Sequence, residues 1–151
     1  MAKAESSSLP ILIDLAKDNA DKAGRMLQQL TAERNNAESQ LSALQTYRQD
    51  YAERLQKATE AGLSASNYHN FRQFIATLDE AISQQNRIVA QIDSRLEDGR
   101  RSWYAEKRRL NSYEALQTRQ VQQRLAQENR AEQLAADENS AAMYRRLRPA
   151  H

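Results

Sequence analysis

An all-α fold is predicted: an elongated antiparallel hairpin of two coiled-coil helices, the second longer than the first. Three features carry this reading. The 151 residues include only 3 Gly and 2 Pro, too few to turn the chain roughly every dozen positions as a sheet or α/β domain requires. Alanine, glutamine, glutamate, arginine and leucine dominate instead, as they do in long helices. The other two features are a heptad seam that runs most of the chain and a single credible interior turn.

The first eight residues, MAKAESSS, are polar and expected to fray. Ser8 suits an N-cap, and Pro10 suits a first helical turn, where its missing N–H costs nothing. From there small or apolar residues recur at alternating spacings of four and three. The series runs Leu9, Ile13, Ala16, Ala20, Ala23, Leu27, Leu30, Arg34, Ala37, Leu41, Leu44, Arg48, Tyr51, Leu55, Ala58 and Gly62. That is a period of 3.5, broken chemically only at Arg34 and Arg48, and it marks a coiled-coil seam because a surface helix would drift out of it.

The stretch Ala61-Gly62-Leu63-Ser64-Ala65-Ser66-Asn67 is the turn. Gly62 can adopt the left-handed conformation that ends a helix, and Ser64 or Ser66 can cap the next. The spacing then resumes with Phe71, Ile75, Leu78, Ile82, Gln85, Val89, Ile92, Leu96, Gly99, Trp103, Glu106, Leu110 and Tyr113. Beyond Tyr113 it loosens, although Leu116, Val121, Leu125 and Leu134 punctuate a helical stretch that closes on Tyr144-Arg145-Arg146-Leu147-Arg148 and Pro149. The expected domain is thus a single hairpin over 1–151, with helix one at about 12–61, the turn at 62–66 and helix two at about 67–140. A connection so short makes the helices antiparallel. At ~1.5 Å per residue they span about 75 Å and about 110 Å, so helix two overhangs helix one at the end remote from the turn. Folding about the turn brings Trp103 and Gly99 near Ala20, Ala23, Gly24 and Leu30, a large indole against small residues.

Enzymatic chemistry lacks its parts. With 0 Cys there are no disulfides or thiolate metal sites. His69 lies beside the turn and His151 ends the chain, so neither a histidine-containing triad nor a metal site is expected. The glycines stand alone at 24, 62 and 99, so no phosphate-cradling loop exists and no cofactor or small-molecule substrate is implied. Most carboxylates fall three or four residues from Arg or Lys, as in ordinary helix-surface pairing. The densest basic cluster, Arg100, Arg101, Lys107, Arg108 and Arg109, lies midway along helix two within the seam register. A basic zipper places such a cluster ahead of its leucine heptads, so nucleic acid is not expected. A solvated face or a patch for an acidic protein surface remains. Formal charge is only +2, and no run is long and apolar enough for a membrane span or a signal peptide, which predicts a soluble, cytoplasmic protein.

The aromatics point to one region. Of the 6 Tyr and 2 Phe, Tyr47, Tyr51, Tyr68, Phe71 and Phe74 cluster around the turn, and Tyr47 and Phe74 lie off the seam. A helix of a two-stranded coil buries about two positions in seven, so the apolar face is too wide here. The surplus stripe reads Gln40, Leu44, Tyr47 and Tyr51 on helix one, and Phe74, Leu78, Ala81 and Gln85 on helix two. It is either a thickened or self-associating tip or an exposed face for a partner.

With these residues in view the chain resembles the FliJ family of flagellar type III export proteins. The resemblance rests on Leu41-x-x-Leu44-x-x-Tyr47-x-x-x-Tyr51, on Ala61-Gly62-Leu63-Ser64, and on Asn70-Phe71-Arg72-Gln73-Phe74-Ile75-x-x-Leu78-x-x-Ala81-Ile82. It continues through Trp103 to Leu110 and Leu116-Gln117-x-Arg119-Gln120, and so covers nearly the whole chain. It implies a non-enzymatic cytoplasmic component of the export apparatus, peripherally associated with the inner membrane, with a fold similar to the central stalk of rotary ATPases. The implied partners are the hexameric export ATPase, whose ring receives the free ends of the hairpin, the cytoplasmic domain of the export-gate membrane protein, and substrate chaperones. The family's gate-docking positions match Gln40, Leu44, Tyr47, Tyr51, Phe74, Leu78 and Ala81. The eighth position of that face often carries His and is Gln85 here. Two other readings share the hairpin: the equivalent stalk of a virulence-type injectisome, and an unrelated coiled-coil scaffold that self-associates through the aromatic stripe.

Overall fold

The computed structural model describes residues 2–148, which form two helices that pack against each other with no strand among them. Helix α1 is Ala2–Glu60 and helix α2 is Ala65–Leu147, 59 residues against 83. The hairpin and the longer second helix follow from the seam. Apart from Gly62 in the turn, every seam position named above is buried or half-buried, including Arg34 and Arg48.

The ends differ from expectation. Helix α1 begins ten residues earlier than expected, at Ala2, so Ser8 lies within the helix and is not its cap, and Pro10 is an interior residue. The packing accounts for this. Leu9, Ile13 and Ala16 form a buried cluster with Leu110, and Tyr113 packs against it. That anchors the first turns strongly enough to accommodate the backbone hydrogen bond that Pro10 forfeits. Helix α2 likewise runs past 140 to Leu147, through a Gln-, Ala- and Glu-rich stretch of high helix propensity. The first eight residues, expected to fray, are helical from Ala2 onward, while Met1, Pro149 and His151 lie outside the described residues.

The turn is Ala61 to Ser64. The Ala61 amide donates to the Lys57 carbonyl at 3.1 Å and the Gly62 amide to the Thr59 carbonyl at 3.2 Å, closing α1. Gly62 has φ +92°, the left-handed region in which an L side chain is strained. Of the two candidate caps, Ser64 serves: its Oγ accepts from the Asn67 amide at 3.2 Å while its carbonyl accepts from the Tyr68 amide at 2.9 Å.

Contacts divide the chain into two compact units. One joins the N-terminal segment up to Asn19 with α2 from Glu106 onward, and the other is Ala20–Ala105. In the first, the Leu9 cluster is the core, and seam residue Glu106 holds one buried carboxylate oxygen without a hydrogen bond, 3.6 Å from the Arg109 guanidinium. From Val121 to Arg148 every residue is exposed. In the second unit, Leu30, Ala37, Ile92 and Leu96 are buried, with Leu27 and Val89 against them. Burying a Leu or Ile contributes about 1.5–3 kcal/mol, so a core this narrow depends on each one.

The small-to-large pairing expected about the turn is present. A Cβ on Gly24 would sit 3.4 Å from Trp103 Nε1, and one on Gly99 would sit 3.1 Å from a Leu27 methyl and 3.5 Å from a Leu30 methyl. The two arginines that interrupt the seam also find partners across it. Arg34 Nε donates to Asp93 at 2.5 Å, and Arg48 Nε donates to Asp79 at 2.5 Å. These pairs lie two heptads apart on both helices and hold one register. Each guanidinium is held above its ordinary value, chiefly by the hydrogen bond to its aspartate.

Candidate functional site

The aromatic surplus lies within the unit Ala20–Ala105, and Tyr51 is its hub. Its ring stacks on Tyr47 at 5.9 Å and meets Phe74 at 4.4 Å and Phe71 at 5.8 Å in tilted contacts, all between centroids. The Arg54 guanidinium lies 5.8 Å from the same ring, within cation–π range. Tyr51 and Phe71 are half-buried seam residues that bridge the helices. Tyr47 and Phe74 stand outside the seam, 55% and 39% exposed, as their off-register positions predict.

Beside this cluster is an open apolar groove of about 480 Å³, lined by Gln40, Ala43, Leu44, Tyr47, Leu78 and Gln85. Of the eight stripe positions, Gln40, Leu44, Tyr47, Leu78 and Gln85 therefore come together in one depression. Tyr51 and Phe74 join it through ring contacts with each other and with Tyr47. Ala81, half-buried, is not among the lining residues. The positions also differ in what they can offer a partner. Leu78 is only 7% exposed, a seam residue that forms the floor, while Gln40 and Tyr47 are the exposed rim. Ala43 is a lining residue that the stripe omits. It lies three residues after Gln40 and four before Tyr47, so helical spacing alone was the available signal.

Gln85 is buried at 9% exposure rather than displayed. Its Nε2 donates to the Ala37 carbonyl at 2.9 Å and to Gln40 Oε1 at 3.3 Å. Its amide nitrogen is thus satisfied within the hairpin, as burial requires.

The opposite edge is charged. Arg48, Glu60 and Arg72, with Ala52, Leu55 and Ile75 among them, line a second depression, and Arg48 also pairs with Asp79. The Asp79 carboxyl is held below the usual carboxylate range by the hydrogen bond from Arg48, against partial desolvation, with the charges of Arg48 and Arg72 helping. In the basic cluster, Arg100 and Arg101 lie 3.7 and 3.8 Å from Glu97, the local pairing of a solvated helix face. His69 is exposed beside the turn. No described helical stretch is long and apolar enough to cross a membrane.

The profile of the flagellar FliJ protein family matches residues 6–148. The chain is 34% identical over 135 residues to the flagellar FliJ protein of Escherichia coli (strain K12), covering 89% of this chain and 92% of that one. It is 33% identical, with the same coverage, to the flagellar FliJ protein of Salmonella typhi. Among solved structures, the type III secretion protein YscO from Vibrio parahaemolyticus aligns with a TM-score of 0.46 and 22% identity, over 89% of this chain and 94% of that one. A profile match over nearly the full length, with relatives of matching length, places the chain in the FliJ family of flagellar proteins.

Proposed function

We propose that this protein is a non-enzymatic stalk component of the flagellar type III export apparatus. It docks on the cytoplasmic domain of the export-gate membrane protein through the aromatic groove, inserts its chain ends into the export ATPase ring, and takes part in chaperone cycling. Family membership supports the apparatus. The single observation that carries the docking assignment is the groove of Gln40, Ala43, Leu44 and Tyr47 over the Leu78 floor. Tyr47 on its rim and Phe74 in the adjoining cluster are left exposed, although a coiled coil has every reason to bury such rings. Contiguous exposed apolar surface beside rigid aromatic anchors is the form that protein-docking sites take.

The division of labour follows the two units. The groove and turn belong to Ala20–Ala105, and both chain ends belong to the other unit. There the exposed side chains Ile11, Leu15, Leu125 and Leu134 offer a second surface, which we assign to the ring. Co-purification with the hexameric export ATPase and with the gate's cytoplasmic domain tests the whole reading. Deleting residues 125–151 tests the division: ATPase stimulation falls while gate binding is retained. Full stimulation by the truncated chain contradicts the ring assignment, and failure of the intact chain to bind the gate domain contradicts the docking assignment.

A further inference from the structure

We infer that Gln85 is a positioning residue that sets the hydrogen-bonding sense of the groove's rim, so that Gln40 presents an N–H donor to a backbone carbonyl of the docking partner. The inference rests on the groove being the docking site.

The orientation follows from the chain of acceptors. A backbone carbonyl can only accept, so the Gln85 atom 2.9 Å from the Ala37 oxygen is the amide nitrogen. That nitrogen carries a second hydrogen, directed at Gln40, 3.3 Å away, so the Gln40 atom receiving it is the oxygen. With its oxygen engaged by Gln85, Gln40, which lines the groove, keeps its own amide nitrogen available to donate. Among the described residues no acceptor takes a hydrogen bond from that nitrogen. Gln85, 9% exposed with both amide hydrogens committed, has no N–H left to donate to a partner, so donation at this part of the groove falls to Gln40.

The lining chemistry identifies the acceptor. No charged side chain lines the groove, and its apolar lining is Ala43, Leu44 and Tyr47 over the Leu78 floor. A carboxylate brought there would be desolvated without a countercharge, whereas a peptide carbonyl needs one neutral donor. The occupant is therefore a polypeptide segment with an apolar side chain seated over Leu78 and the carbonyl oxygen of its backbone opposite Gln40.

Titration calorimetry with the soluble cytoplasmic domain of the export-gate protein, alongside thermal melting of each variant, tests this. Gln40→Met removes the donor at nearly constant length and Gln85→Leu removes the group that orients it. Each weakens binding about fivefold, the worth of one hydrogen bond. Gln40→Glu, which faces the carbonyl with an acceptor, weakens it about tenfold. Melting stays level or rises in Gln85→Leu, because an apolar residue replaces a polar one in the seam and the Ala37 carbonyl keeps its helical bond. The double variant Gln40→Met/Gln85→Leu binds no worse than Gln40→Met alone, as expected when one residue acts through the other. A parental affinity in Gln85→Leu, or additive losses in the double variant, overturns the inference. So does a loss of affinity that tracks a lowered melting temperature in Gln85→Leu, since that marks a merely structural role. Tyr47→Ala serves as the control that separates the two levels. If it weakens binding while Gln40→Met does not, only the donor assignment fails. If Tyr47→Ala also binds like the parent, the groove is not the docking site.

Discussion

Tyr47 and Arg48 are neighbours in sequence, yet they stand about 100° apart around α1 and serve edges of opposite character. On the Arg48 edge the chain completes its own chemistry, since Arg48 closes on Asp79 across the seam. On the Tyr47 edge it does not: an apolar groove stays open beside rings that remain in solvent. Both residues border the same buried stripe, Arg48 from within the seam and Tyr47 from outside it. A two-helix seam fixes only the residues between the helices, and what lies beside it is free to serve something else. The self-satisfied edge reads as register, and the unsatisfied one reads as recognition.

The largest expected effect removes the ring on which the apolar edge is built. Tyr51→Ala strips the contacts to Tyr47, Phe71 and Phe74 and lowers stability by about 2–3 kcal/mol, read as a clear fall in melting temperature. If melting is unmoved, the cluster is not part of the packing and the edge has no fixed geometry. Gly62→Ala comes next. It forces an L side chain into the left-handed region at φ +92° and costs about 1 kcal/mol in denaturant unfolding. Because the strain lies in the turn, it leaves the folded groove's affinity for the gate domain unchanged.

The smallest effect belongs to the charged edge. The Asp79 carboxyl titrates below its ordinary value because Arg48 hydrogen-bonds the ionised form. A depressed folded-state value gives stability that is present above the unfolded-state value and is lost as pH falls through the folded one. Melting should therefore decline slightly as pH drops below about 4, and Asp79→Asn should remove that part of the decline. The effect is small because both partners are substantially exposed. A pH dependence identical in Asp79→Asn would show that the pair contributes nothing to the register.

Much of this was legible in the sequence, for a physical reason. A heptad seam states burial residue by residue, so Leu9 through Ala58 and Phe71 through Tyr113 could be placed before any coordinates. Off-register aromatics such as Tyr47 and Phe74 announce their own exposure. The starts and ends of the helices were less readable. Ser8 and Pro10 carry strong helix-start signals, but local capping preference amounts to about 1 kcal/mol, and the Leu9–Ile13–Leu110 cluster outweighs it. Gln85 was ambiguous for another reason. Periodicity places it both in the seam and on the stripe, and only the positions of the Ala37 carbonyl and the Gln40 oxygen show that it is buried and bonded inward. Likewise Arg34 and Arg48 read as breaks in the seam until Asp93 and Asp79 are seen opposite them.

The claim that the Tyr47 edge exists for a partner is tested most directly by one variant in two assays. Tyr47 is 55% exposed, so Tyr47→Ala should change stability by no more than about 0.5 kcal/mol and leave the melting curve nearly superimposable on the parent's. An aromatic anchor in a docking patch contributes ~2 kcal/mol or more, so its affinity for the gate's cytoplasmic domain should fall at least about thirtyfold. Unchanged melting with lost binding is the predicted result. Parental binding, or a binding loss that merely follows a collapse in melting temperature, would return Tyr47 to the hairpin's own packing and contradict the account.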